Sequence, residues 1–162
     1  MKGSLAVLAL LALSPLASAQ RASVGDFTLF NWKGNVFSNE GVFNIDPLIA
    51  FTDGLNNAAS SMILSCQDNQ LAVAFDPVTY LGPGTYEMSW KFDDQEATSF
   101  TFALSFGGTW AYVPPSMVTA FLGQAGSFQQ VKFQVNNSRG QAFTDTFKLG
   151  SITEAAKQLK CK

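Results

Sequence analysis

The sequence predicts a mainly β fold, an antiparallel sandwich or strongly curled sheet of about eight strands closed by a C-terminal helix. Three observations point there. Apolar residues recur with a period of two through most of residues 60–149. The first nineteen residues read as an export signal, and beyond them the chain has two cysteines, Cys66 and Cys161, one mid-chain and one beside the C-terminus.

The signal comes first in the chain. Lys2 precedes the apolar run Leu5 to Leu13, and the stretch ends in Ala17-Ser18-Ala19, a small-x-small cleavage pattern. Residues 1–19 are therefore expected to be removed, leaving residues 20–162 as one exported domain, periplasmic or secreted. The apolar run is shorter than the roughly 20 residues a membrane-spanning helix needs, and no later stretch supplies one. Cleavage would remove Lys2 from ten Lys and Arg, leaving nine against twelve Asp and Glu, a formal charge of -3. Scattered negative charge is no footprint for nucleic acid.

Residues 20–60 are the least periodic. Thr28, Phe30 and Trp32 can share one face of a first strand, but Phe27 and Leu29 then put apolar groups on the other, so its register stays open. A further strand is expected around Pro47 to Phe51. Next, Met62, Leu64 and Cys66 alternate with Ile63 and Ser65, and after the polar turn 67–70 the run Leu71, Val73, Phe75 forms a matching strand.

Tyr86, Met88, Trp90 and Phe92 share one face of a half-buried strand, with Glu87, Ser89 and Lys91 on the other. The turn Asp93-Asp94-Gln95-Glu96 leads into a second strand with Phe100, Phe102, Leu104 and Phe106 inward. Gly107-Gly108 then turns the chain into Thr109 to Val113, expected as the third strand of a meander and stopped by Pro114-Pro115. Met117, Ala120 and Phe121 predict a short helix over 116–122. Val131, Phe133 and Val135 begin another hairpin, whose return strand aligns Phe143, Asp145, Phe147 and Leu149. Asp145 is discordant on a buried face, which suggests a local cap or pair and an edge strand. The last helix, near 151–160, places Ile152, Ala155, Ala156 and Leu159 on one side, and Ser151 with Glu154 has the spacing of a capping box.

In an oxidising compartment Cys66 and Cys161 are expected to join, tying the last helix to an early strand. The rival reading is two free thiols or an intermolecular bond. A bridge would close a loop worth about 4 to 5 kcal/mol of denatured-chain entropy before any native strain.

The sequence contains no histidine, which removes the commonest general base and metal ligand and rules out Ser-His-Asp and Cys-His catalysis. No phosphate-binding glycine loop or dinucleotide fingerprint is present. No catalytic residue, metal site or cofactor is assigned. Asp93, Asp94 and Glu96 have the oxygen ligands for calcium or a paired-carboxylate hydrolase, but a hairpin tip accounts for them as well. Among the aromatics, Trp90 and Trp110 fall on faces assigned to the core. Trp32 and Tyr80 lie in unpatterned segments and are the candidates for an exposed binding surface.

An ordered series of residues resembles the VasI (TagO-like) family of exported bacterial proteins found with type VI secretion systems. It comprises Leu64-Ser65-Cys66, Lys91-Phe92-Asp93, Phe102 to Ser105, Phe121-Leu122, Phe147 to Ser151, then Ala155-Ala156, Leu159 and Cys161. Phe102 stands where the family pattern often has Trp, and residues 20–60 show no match. The resemblance implies a non-enzymatic accessory protein of the cell envelope with a protein partner. The alternative is a carbohydrate or cell-wall binding module using exposed aromatics.

Overall fold

The computed structural model describes residues 22–31, 36–38, 41–43, 45–82, 85–103, 109–137 and 139–161. The expected export signal, Trp32, the expected strand residues Leu104 and Phe106 and the expected turn Gly107-Gly108 lie outside the described residues.

The elements run β1 (Ala22–Val24), β2 (Phe27–Asn31), β3 (Val36–Ser38), β4 (Gly41–Phe43), β5 (Ile45–Asp53), β6 (Ser61–Gln67) and β7 (Gln70–Asp76). They continue with β8 (Thr85–Phe92), β9 (Thr98–Ala103), β10 (Ala111–Tyr112), α1 (Pro115–Ala125), β11 (Gln130–Asn136), β12 (Ala142–Lys148) and α2 (Ile152–Gln158). A six-stranded sheet has the order β1-β2-β5-β6-β7-β10, a four-stranded sheet the order β12-β11-β8-β9, and β3 pairs with β4 alone. Every pairing is antiparallel. The architecture is the predicted mainly β sandwich. Its strands outnumber the expected eight because the three-residue pieces β1, β3 and β4 are too short to show a period.

The sheets pack mainly through residues that alternation placed inward, joined by Phe27. Met88, Trp90, Phe92, Val131, Phe133, Val135 and Phe147 from one sheet meet Phe27, Met62, Leu64, Val73 and Phe75 from the other in one buried cluster. Phe75 stacks on Phe133 with centroids 5.9 Å apart and meets Phe147 edge-on at 5.5 Å, so ring contacts cross the interface. The open register of the first strand resolves with Phe27 and Leu29 inward, while Phe30 packs on the opposite face. In β5 the register shifts between Ile45 and Ile49, around Pro47, which has no N–H to give the ladder.

Four expectations need correction. The segment after Thr109 does not extend the β8–β9 meander. β10 joins the other sheet beside β7, with Ala111 opposite Phe75 and Tyr112 opposite Ala74, and the Val113 N–H donates to the Val73 carbonyl at 2.9 Å. The middle helix is also longer than 116–122. Pro115 opens it directly after the strand ends, because a proline at the first helical position surrenders an N–H that has no partner there. Its buried face is Val118, Phe121 and Ala125, while Ala120 is exposed. The capping box does not form. Ser151 is left-handed (φ 67) and makes no side-chain cap bond, and it packs so tightly on Gly25 that a Cβ there would lie 2.5 Å from its Oγ.

β6 is interior to its sheet and buried on both faces, so Ile63 and Ser65 are as enclosed as Leu64 and Cys66. Its outer face belongs to a second apolar cluster of Ile49, Ile63, Ala74 and Trp110, flanked by Phe30, Phe51 and Tyr112.

Candidate functional site

A groove of about 870 Å³ lies where α1, α2 and the tip of the β6–β7 hairpin meet. Each wall has a local cause. The hairpin closes through the pair Gln67–Gln70, leaving Asp68 and Asn69 at φ 48 and 66, the two positive values a tight two-residue turn requires. Asn69, Gln70 and Leu71 form this wall.

α1 is the second wall. Phe121 anchors it, 5.2 Å from Trp90 edge-on and stacked on Phe133 at 5.6 Å, so the helix leaves the six-stranded sheet's edge and fastens onto the four-stranded sheet. Toward the groove it presents Pro115, Val118, Thr119, Leu122 and Gly123. None of its eleven residues is charged. A Cβ built on Gly123 would meet nothing within 4 Å, so no packing demand explains a glycine inside this helix.

The third wall is α2 and the residues after it, through Thr153, Ala156, Lys157, Lys160 and Cys161. Ile152, Ala155 and Leu159 are buried beneath, as the helical spacing predicts. The structure brings Cys66 and Cys161 together as a disulfide, with Cα atoms 5.6 Å apart and a sequence separation of 95. Cys66 is buried at 1% exposure while Cys161 lines the groove, so the bridge fixes this wall to the C-terminal end of β6, beside the hairpin turn. A seven-residue helix is too short to persist alone in water.

The other candidates separate clearly. Tyr80 is 63% exposed, on a loop with Val78, which is exposed and left-handed at φ 56. This loop is steered by Asp76, whose carboxylate accepts from the Val78 N–H at 2.8 Å and from the Trp110 indole at 2.8 Å. Trp90 and Trp110 are both buried, but Trp110 belongs to the cluster outside the six-stranded sheet and not to the core between the sheets. Asp93 is engaged at its hairpin tip, its two oxygens accepting from the Gln129 and Gln130 N–H groups at 3.1 and 2.9 Å.

Asp145 is a structural clamp. It lies on β12, the predicted edge strand, at 1% exposure. Its carboxylate accepts from the Asn56 and Asn57 N–H groups at 2.9 and 3.0 Å, the Asn56 amide at 3.1 Å, the Thr146 N–H at 2.7 Å and the Ser60 hydroxyl. The Leu55 N–H adds a bond to the Thr146 carbonyl at 2.8 Å. The four-stranded sheet is thus pinned to the β5–β6 loop of the other. Burial alone would raise the carboxyl's pKa, but the Ser60 hydroxyl and the Asn56, Thr146 and Asn57 N–H groups outweigh it and hold it below the ordinary carboxylate value. Gly54 is required beneath, since a Cβ there would sit 2.1 Å from Asp145 Oδ2.

Comparison with protein-family models, curated proteins and solved structures finds no match to this chain.

Proposed function

We propose that this chain is a non-enzymatic binding or accessory protein of the cell envelope, acting through the groove between α1, α2 and the β6–β7 tip. The observation that carries the reading is the free face of α1. A solvated helix ordinarily carries charge there, yet α1 has none over eleven residues and keeps an interior glycine that no neighbour requires. Such a glycine costs about 0.5 to 1 kcal/mol relative to alanine. A partner lying close against the helix accounts for both features.

The chemistry agrees with binding. A sequence without histidine, whose two cysteines are joined, lacks the usual nucleophile–base pairs. The resemblance to VasI (TagO-like) proteins favours an exported protein with an envelope partner associated with type VI secretion. One observation favours the alternative, a glycan module: Tyr80 is 63% exposed and offers a ring face to a sugar.

A photocrosslinking residue at Thr119, compared with one at exposed Arg139 on the remote turn, tests the groove in the producing cell. A discrete adduct from position 119 and none from 139 is expected. Equal labelling at both positions, or none at either, refutes the groove as the contact surface. Glycan binding lost in Tyr80→Ala would move the function to the other loop.

A further inference from the structure

We infer that the groove receives an acidic peptide segment bearing apolar side chains. This rests on the groove being the ligand surface and names the ligand's class.

Charge is the first ground. Lys157 and Lys160 are the only charged side chains among the groove's described lining residues, in a chain of formal charge -2 and isoelectric point near 4.9. The chain's negative excess is thus absent from the groove's described lining, which carries two ammonium groups instead. A partner meeting this surface gains from carboxylates and loses from cations.

Lining chemistry is the second ground. Leu71 and Leu122 are partly exposed extensions of the buried core, so the floor is apolar and takes aliphatic or aromatic side chains. The Asn69 and Gln70 amides at the hairpin tip, with Thr119 and Thr153, provide donors and acceptors of the kind that pair with peptide groups. An acyl chain would leave these polar groups facing hydrocarbon, at a desolvation cost that a peptide backbone avoids. Gly123 allows such a backbone to approach α1 without meeting a side chain.

The test uses the oxidised chain and three short synthetic peptides: one alternating Glu with Leu and Phe, a second with Gln for every Glu, and a third with Lys. Binding is read by fluorescence anisotropy at low and high salt. The Glu peptide is expected to bind at least about tenfold more tightly than the Gln peptide, with the gap closing as salt rises. Lys157→Glu with Lys160→Glu should transfer the preference to the Lys peptide. Gly123→Phe, a change into open space that the fold accommodates, should abolish binding of all three.

Equal affinity for the Glu and Gln peptides, or a preference unmoved by the double charge reversal, overturns the acidic-peptide inference. If Gly123→Phe still abolishes that unselective binding, the groove reading survives alone. If the Glu peptide binds and Gly123→Phe leaves it unchanged, the groove reading falls as well. Binding to phosphatidylglycerol vesicles but to no peptide, or to nothing at all, also overturns the inference.

Discussion

Replacing Asp145 by Asn keeps the side chain's size but turns an acceptor into a donor at the most crowded polar site of the fold. In the native chain Oδ1 accepts from Asn56 twice and from Thr146, while Oδ2 accepts from the Asn57 N–H and the Ser60 hydroxyl. An amide in the best orientation retains the Oδ1 bonds and sets its NH2 against the two donors on the other side. The Asn57 N–H lies in an exposed loop and can turn to water, whereas the Ser60 hydroxyl, 2% exposed, must swing its proton to the Asn57 carbonyl at 2.9 Å and accept from the new amide. Losing one bond to a charged acceptor and the charge from the others, with partial relief from solvent, costs about 1.5 to 3 kcal/mol.

The pH dependence gives a second readout. The folded-state pKa of Asp145 is depressed, so its contribution is fully present above the unfolded value near 3.8 and is lost as pH falls through the folded value. Urea unfolding across that range should show the wild type and Asp145→Asn converging as acid removes the wild type's advantage. A variant within about 0.5 kcal/mol of wild type at neutral pH, or two curves that fall in parallel below pH 4, would refute the clamp.

The remaining predictions concern the bridge and the glycines. Cys161→Ser should lose up to about 4 to 5 kcal/mol, and amide exchange should show α2 opening before the sheets do. Intact mass under non-reducing conditions should find no free thiol, and finding both thiols free in most molecules would remove the bridge. Gly54→Ala should destabilise by more than about 1 kcal/mol, because its Cβ would meet Asp145 and Ser60. Gly123→Ala should stabilise by about 0.5 to 1 kcal/mol in thermal unfolding, since nothing occupies its space. Trp110→Phe should cost about 1 to 2 kcal/mol through the lost indole–Asp76 bond and make the Tyr80 loop more protease-sensitive.

Much of the sandwich was legible because a half-buried strand repeats every two residues. Tyr86 to Phe92 and Val131 to Val135 announce their inward faces, and Ile152 to Leu159 announces its helical stripe. Features created by distant residues were not legible. Asp145 looks discordant because all its partners but the adjacent Thr146 N–H lie 85 to 89 residues away. β10 has two residues, too few to say which sheet it joins. Ser151 has a capping residue's identity, but contact with Gly25 sets its backbone and overrides that local preference.

The groove was legible least of all, for three separate segments build it, and Leu71, Leu122 and Ala156 read as packing positions and Cys161 as half of a bridge. Its traces in the sequence were a helix without charge, a glycine inside that helix, and two lysines beside the last cysteine. None of these marks a site before α1 and α2 are brought together.

Amide hydrogen exchange of the chain, alone and in extract from the producing cell's envelope, tests the central claim most directly. The account predicts added protection concentrated on residues 119–123 and 156–161, where the groove's helical walls lie. Protection centred on residues 77–82, or no change anywhere, would contradict it.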